Sequence, residues 1–264
     1  MADVLLFRVE NGVAWLVMNR PEVKNAINDE LRDRLVEAFG TIAADPAIRA
    51  AVLTGAGDAF CPGADLWGAK RDPAAAHHPG ATRTLMKQNS QRMIRTVLEV
   101  EKPVIAAVNG VAAGMGAHLA LACDLVVMAA EARLIEVFAR RGIAIDSGGA
   151  FLLSRLVGLQ KAKELVFFAD DVPADEAMRS GLCNRVVPRA ELETAVRAWA
   201  ERLAQGPTFA LGMSKRLLLR AYESTLETCL EEEGFAQSLV AQSADMQEGV
   251  TAFAERRKPV FTGR

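Results

Sequence analysis

Three short segments of this 264-residue chain hold residues whose type and spacing could serve a small anionic ligand or could be plain turns and caps. The first is GAGDAFCPGAD, residues 55–65. A glycine-rich turn after a strand presents backbone N–H groups to an anion. It is no P-loop, since no Gly-Lys-Ser/Thr follows, and it lacks the GxGxxG of a dinucleotide fold. The second is NGVAAGMGAH, residues 109–118, which leaves an apolar run and opens a helix. The first N–H groups of a helix are free and carry positive potential. Close helix–sheet packing explains the same glycines equally well. The third is GIAIDSGG, residues 142–149. Here Asp146 fits an acid/base group and also fits a helix N-cap. His118 reads by itself as a satisfied core or subsurface histidine. No metal site is expected: His77 and His78 are adjacent and face different ways, and the four cysteines form no CxxC pair.

Elements must position these residues. A continuous apolar run predicts a buried strand over 13–18, and further strands are read over 48–54, 103–108, 125–128, 134–137 and 184–187. Helical spacing predicts helices over 29–44, 85–99, 114–123, 150–156, 160–168, 174–180 and 191–203, the first capped by Asn28. Residues 70–81, polar and rich in Ala, Pro and His, read as a loop over a pocket. Gly206-Pro207 marks a boundary, after which three helical segments run to 257. The reading is an α/β core over 1–205 and a helical region over 206–264.

Bulk properties exclude several classes. The apolar stretch 103–130 is interrupted by Asn109, His118 and Asp124, which argues against a membrane span. A formal net charge of -2 argues against nucleic acid. On the first helix Arg32 and Arg34 are countered by Asp29, Glu30, Asp33 and Glu37, so there is no basic comb. The N-terminus carries Asp3, Arg8 and Glu10 where a signal peptide would be apolar, and the cysteines read as reduced. Both observations point to the cytoplasm.

Taken in order, the segments carry a resemblance over nearly the full length. They are Asn19-Arg20-Pro21 with Asn25-Ala26, then Leu53-Thr54-Gly55 with 60–66, then 102–110, then 119–124, and lastly 253–262. Together they resemble the enoyl-CoA hydratase/isomerase (crotonase) superfamily. Within it the chain looks most like the phenylacetate-pathway isomerases that convert ring-epoxide CoA thioesters to oxepins, through 108–114, 207–209, 243–245, 248–250 and 261–263.

The resemblance implies a spiral of repeated ββα units with a helical C-terminal region that trimerises. It implies an acyl-CoA thioester substrate, with coenzyme A as part of the substrate and no separate cofactor. Two backbone amides would hold the thioester oxygen, and they map to Ala64 and Met115. Two fixed donors at the oxygen where enolate charge develops lower the barrier to proton removal. The water-handling glutamates of typical hydratases fall on His118 and Phe138, and the third acid/base position falls on Asp146. The expected catalytic groups are therefore Asp146 and, beside it in the same pocket, His118. Coenzyme A is expected near Lys24, Ala26, Asp65 and Leu66, with Trp67 and Phe138 as acyl walls. Arg256 and Lys258, by default a solvated helix end, would meet its phosphates from a neighbouring subunit. One carboxyl suffices to shift a proton between carbons, so isomerisation of an enoyl-CoA or ring-type acyl-CoA is the leading expectation. Hydration through His118 and Asp146, or a catalytically dead CoA binder, are the alternatives. Leu217, Leu218, Leu226, Leu230, Phe235 and Leu239 exceed what a lone tail buries, which fits a homotrimer or a hexamer of paired trimers.

Overall fold

A computed structural model of the chain describes residues 3–65 and 80–264. Leu66, Trp67 and most of the 70–81 loop lie outside the described residues. Two sheets form the core. The larger has six strands in the order β1 (Leu5–Glu10), β2 (Val13–Met18), β3 (Ala50–Gly55), β5 (Val104–Val108), β7 (Leu125–Ala129) and β10 (Arg185–Val187). The smaller has β4 (Ala59–Cys61), β6 (Val111–Ala113), β8 (Arg133–Ile135) and β9 (Asp171–Pro173). β1 and β2 form an antiparallel hairpin through Asn11-Gly12, both at positive φ. That is the Asn-Gly pairing whose twist matches the flanking strands. From β2 onward the large sheet is parallel. Its central strands are sequestered on both faces, which is why they read as unbroken apolar runs.

The spiral follows from the order of the strands. β3 runs into β4, β5 into β6, and β7 into β8, so each step contributes one strand to each sheet. Helices close the turns. α1 (Asp29–Ala44) starts at Asn28, whose side-chain oxygen accepts from the Leu31 N–H. It buries Leu31, Leu35, Phe39 and Ile42 on one stripe, each worth roughly 1.5–3 kcal/mol of burial. The predicted helix over 85–99 is instead two, α2 (Ala81–Gln88) and α3 (Ser90–Glu99). Asn89 between them takes φ -105°, ψ -97°, which no helix accommodates. α4 (Met115–Leu121) is buried from Gly116 to Leu121. After it come α5 (Gly149–Leu156), α6 (Gly158–Phe168), α7 (Ala174–Arg179) and α8 (Leu192–Ala204), and α8 packs on β3, β5 and β7.

α9 (Thr208–Ala221), α10 (Leu226–Val240) and α11 (Ala244–Ala254) form the helical region. Leu218, Leu226, Leu230, Phe235 and Leu239 are exposed there, and Leu217 is half-buried. Among the described residues no helix is long and apolar enough to cross a membrane.

Candidate active site

A cavity of about 740 Å³ opens where the loop after β4, the start of α4 and the loop after β8 converge. Ala64, Asp65, Met115, Phe138 and Asp146 all line it. The sequence places these five far apart; the spiral brings them together.

Local pairing explains how two backbone donors come to border the cavity. Ile27 N–H donates to the Gly63 carbonyl at 2.9 Å, and Asp65 N–H donates to the Ile27 carbonyl at 2.9 Å. In such a parallel bridge the intervening residue, Ala64, turns its own N–H to the opposite edge. That N–H has no acceptor among the described residues. Met115 is the first residue of α4, so its N–H has no intrahelical partner. Two glycines let the segments approach. A Cβ on Gly116 would stand 2.2 Å from the Cys61 carbonyl oxygen. Gly63 has φ +100°, and its Cβ would meet the Ala113 oxygen at 3.0 Å. Only glycine allows this contact between the β4 loop and the head of α4.

Buried polar side chains brace the loops. Asn25, fully buried, donates from Nδ2 to the carbonyls of Ala56 and Ala59, both at 2.9 Å, and its Oδ1 accepts from Arg20 N–H at 2.9 Å. Asn25→Ala would orphan three backbone groups and is expected to cost at least ~2 kcal/mol of stability. Urea unfolding checks this: a lower midpoint at unchanged slope is expected, and a loss under about 0.5 kcal/mol would contradict it. Arg20 also holds Asp65 in an ion pair at 2.9 Å. The Cys61 thiol beside this loop is pushed up to about 12 by burial, so it stays protonated and is no nucleophile.

Asp146 is half-buried at the cavity wall. Its side chain does not cap α5: the residue before that helix is Gly148, and no side chain bonds the first amides. Ser147 Oγ donates to Asp146 Oδ1 at 2.6 Å. Ser147 takes φ +48° and Gly148 φ +78°. A left-handed serine costs of order 1–3 kcal/mol, a strain that clusters at functional sites. The turn spends that strain on presenting one carboxylate to the cavity.

His118 lies elsewhere than expected. It is fully buried and is not among the groups lining the cavity; the expectation that it enters the same pocket as Asp146 is corrected. Its Nε2 pairs with Glu136 Oε2 at 2.9 Å, and its ring stacks on Phe138, centroids 5.3 Å apart and planes 10° apart. Phe138 stands between the imidazole and the cavity. Glu136 was not singled out from the sequence, because a lone acid in the short segment read as a strand over 134–137 gives no sign of a buried partner.

The remaining expected contacts are dispersed. Lys24 is exposed, and Ala26 is buried with its carbonyl accepting from Arg20; neither lines the cavity. Arg256 and Lys258 are exposed beyond α11 and do not line it within one chain. Leu66 and Trp67 lie outside the described residues. Polar groups that sequence reasoning left out, Asn89, Ser90 and Arg141, do line it. A second cavity, about 630 Å³, sits between the end of α1 and the C-terminal tail. Two of its cations are engaged: Arg49 donates to Thr208, Phe261 and Gly206, and Lys102 to the carbonyls of Ile42 and Asp45. Among the described residues no group of three or more His, Cys, Asp or Glu is placed to hold a metal ion.

Known proteins share both sequence and fold with this chain. Residues 8–264 match the enoyl-CoA hydratase/isomerase family. The chain is 39% identical over 265 residues to the 1,2-epoxyphenylacetyl-CoA isomerase of Escherichia coli K12, covering 100% of both chains. It is 35% identical to the crotonyl-CoA hydratase of Syntrophomonas wolfei, covering 98% of each. Among solved structures, an enoyl-CoA hydratase/isomerase from Cupriavidus metallidurans CH34 superposes with a TM-score of 0.91 at 34% identity, over 99% of this chain and 97% of that one. With a matched family model, full-length relatives of that family and the spiral fold in common, the chain belongs to the enoyl-CoA hydratase/isomerase family.

Proposed function

We propose that the protein is an enoyl-CoA isomerase that shifts a proton along the acyl group of a CoA thioester, with Asp146 as its single acid/base. The observation that carries this reading is Asp146 on the wall of a cavity bordered by two backbone amides, of Ala64 and Met115, that find no acceptor among the described residues. Asp65 and Asp29 also border the cavity but are ion-paired, to Arg20 and Arg32. Glu30 sits exposed in the first turn of α1. Asp146 takes the proton from the carbon next to the thioester. The electrons move onto the thioester oxygen, which the Ala64 and Met115 N–H groups hold. Asp146 returns the proton to the γ-carbon, so the double bond moves and the mass is unchanged.

The hydratase alternative needs a second group to hold and activate water. His118, offered for that role, lies behind Phe138 and is bound to Glu136, which argues for isomerisation. The 39% identity to a ring-epoxide isomerase supports a ring-type acyl group as one class of substrate. The same reading has coenzyme A near Lys24, Ala26, Asp65 and Leu66. Arg256 and Lys258 of an adjoining subunit would reach its phosphates in a trimer built on α9–α11.

Mass spectrometry and proton NMR on a panel of enoyl-, dienoyl- and aryl-acyl-CoA thioesters test this. The expected product has the mass of its substrate with a moved double bond. A product heavier by one water as the main outcome would assign hydratase activity instead.

A further inference from the structure

The His118–Glu136 pair has no part in the proton shift as described, yet it lies at the junction of the segments that carry it. His118 and Glu136 side chains are 0% and 4% exposed. Their 2.9 Å hydrogen bond ties the imidazole Nε2 to Glu136 Oε2, and the ring cannot rotate without losing it. Two neighbours are set by that ring. Phe138, a wall of the cavity, stacks on one face. The backbone of Gly149 abuts its edge so closely that an added Cβ would stand 2.1 Å from His118 Cε1. Gly149 N–H in turn donates to the Asp146 carbonyl at 2.9 Å, closing the turn that presents the carboxylate. His118 N–H donates to the Gly114 carbonyl at 3.0 Å, and Gly114 N–H donates to Ile135 at 2.8 Å, one residue before Glu136. The ring therefore spans the head of α4, the end of β8 and the start of α5.

We propose that His118 and Glu136 are positioning residues: their buried hydrogen bond fixes the imidazole as a spacer that sets the Asp146 turn and the Phe138 wall against the Met115 N–H. This rests on the reading of Asp146 as the acid/base. A displacement of about 1 Å in such a spacer costs up to ~10²-fold in rate while substrate binding persists. A group that only supported the fold would affect stability and leave the turnover of folded protein unchanged.

The test uses full-length variants with 3-hexenoyl-CoA as substrate and butyryl-CoA as binding probe. His118→Ala and Glu136→Ala remove one partner each. Glu136→Gln keeps a hydrogen-bond partner for Nε2. The double variant His118→Phe with Glu136→Leu replaces both by apolar groups of similar size, an exchange that buried ion pairs tolerate with little loss of stability. Folding is read by circular dichroism and thermal midpoint.

For the double variant, a near-normal midpoint, kcat lowered at least ~10-fold, and KM and butyryl-CoA affinity within about threefold are expected. The alanine variants that fold are expected to show the same split, and Glu136→Gln to keep kcat within about threefold. A folded double variant with unchanged kcat would overturn the inference. So would a Glu136→Gln variant as inactive as Asp146→Asn, since that would assign proton handling to Glu136. Asp146→Asn run in parallel separates the two readings. If it keeps full activity, the acid/base assignment fails. If it is inactive while the double variant is normal, the positioning role alone fails.

Discussion

Asp146→Asn is expected to lower turnover of the accepted enoyl-CoA by ~10²–10⁴-fold while leaving CoA thioester affinity within about threefold. The amide is isosteric and can still accept from Ser147 Oγ, so the strained turn keeps its shape. What is lost is the ability to take a proton. Since the side chain makes no bond to the amides of α5, the thermal midpoint should hardly move. A helix cap would behave the other way, with a stability loss of ~1 kcal/mol and normal turnover. Steady-state kinetics and a melting curve on the same preparation decide between them. Normal kcat with a lowered midpoint would return Asp146 to the capping role.

Ala64→Pro is expected to lower kcat by ~10²–10³-fold, the effect of removing one donor from an oxyanion site. The fold does not depend on that N–H, because the bridge to Ile27 uses the Gly63 carbonyl and the Asp65 N–H. Proline deletes the donor that borders the cavity and also restrains the backbone at 63–64, so circular dichroism on the variant accompanies the kinetics. Met115→Gly makes the complementary case. It keeps its backbone N–H at the head of α4 and removes only a side chain that lines the cavity. Activity should persist, with bulkier acyl groups accepted. Kinetics of both variants with the same substrate check the pair. A folded Ala64→Pro enzyme turning over normally would remove Ala64 from the site.

The sequence carried the large sheet well and the small sheet poorly. Strands such as β3 and β5 are sequestered on both faces, so burial writes itself as an uninterrupted apolar run. β4, β6 and β9 have three residues each, too few for any period to show, and exist because a neighbour pairs with them. β1 was missed for another reason: all but Leu5 of its six residues are exposed, so it has no alternation to read. The start of α1 was legible because Asn28 followed by Asp29 and Glu30 is a local signal. The break at Asn89 was not, since nothing in composition distinguishes asparagine in a kink from asparagine on a helix surface.

The site divides in the same way. The glycine-flanked setting of Asp146 is local and by itself read as a helix N-cap; its acid/base role came from family resemblance. Ala64 and Met115 came from family resemblance, since backbone donors leave no side-chain signature. The contact between His118 and Glu136 joins residues 18 apart through the turn of the spiral, and no spacing rule reports it. Reading His118 as lining the pocket failed for that reason: it is fully buried, bonded to Glu136 and stacked on Phe138, which itself lines the cavity.

The most direct test of enolate formation under a single base is solvent exchange in deuterium oxide. Wild-type protein and Asp146→Asn are each incubated with 3-hexenoyl-CoA, and deuterium at the α- and γ-carbons is read by proton NMR. Wild-type protein is expected to yield 2-hexenoyl-CoA carrying deuterium at the γ-carbon, and Asp146→Asn is expected to give neither product nor exchange. Equal exchange by both proteins, or no exchange and no product from wild-type protein that binds the thioester, would contradict it.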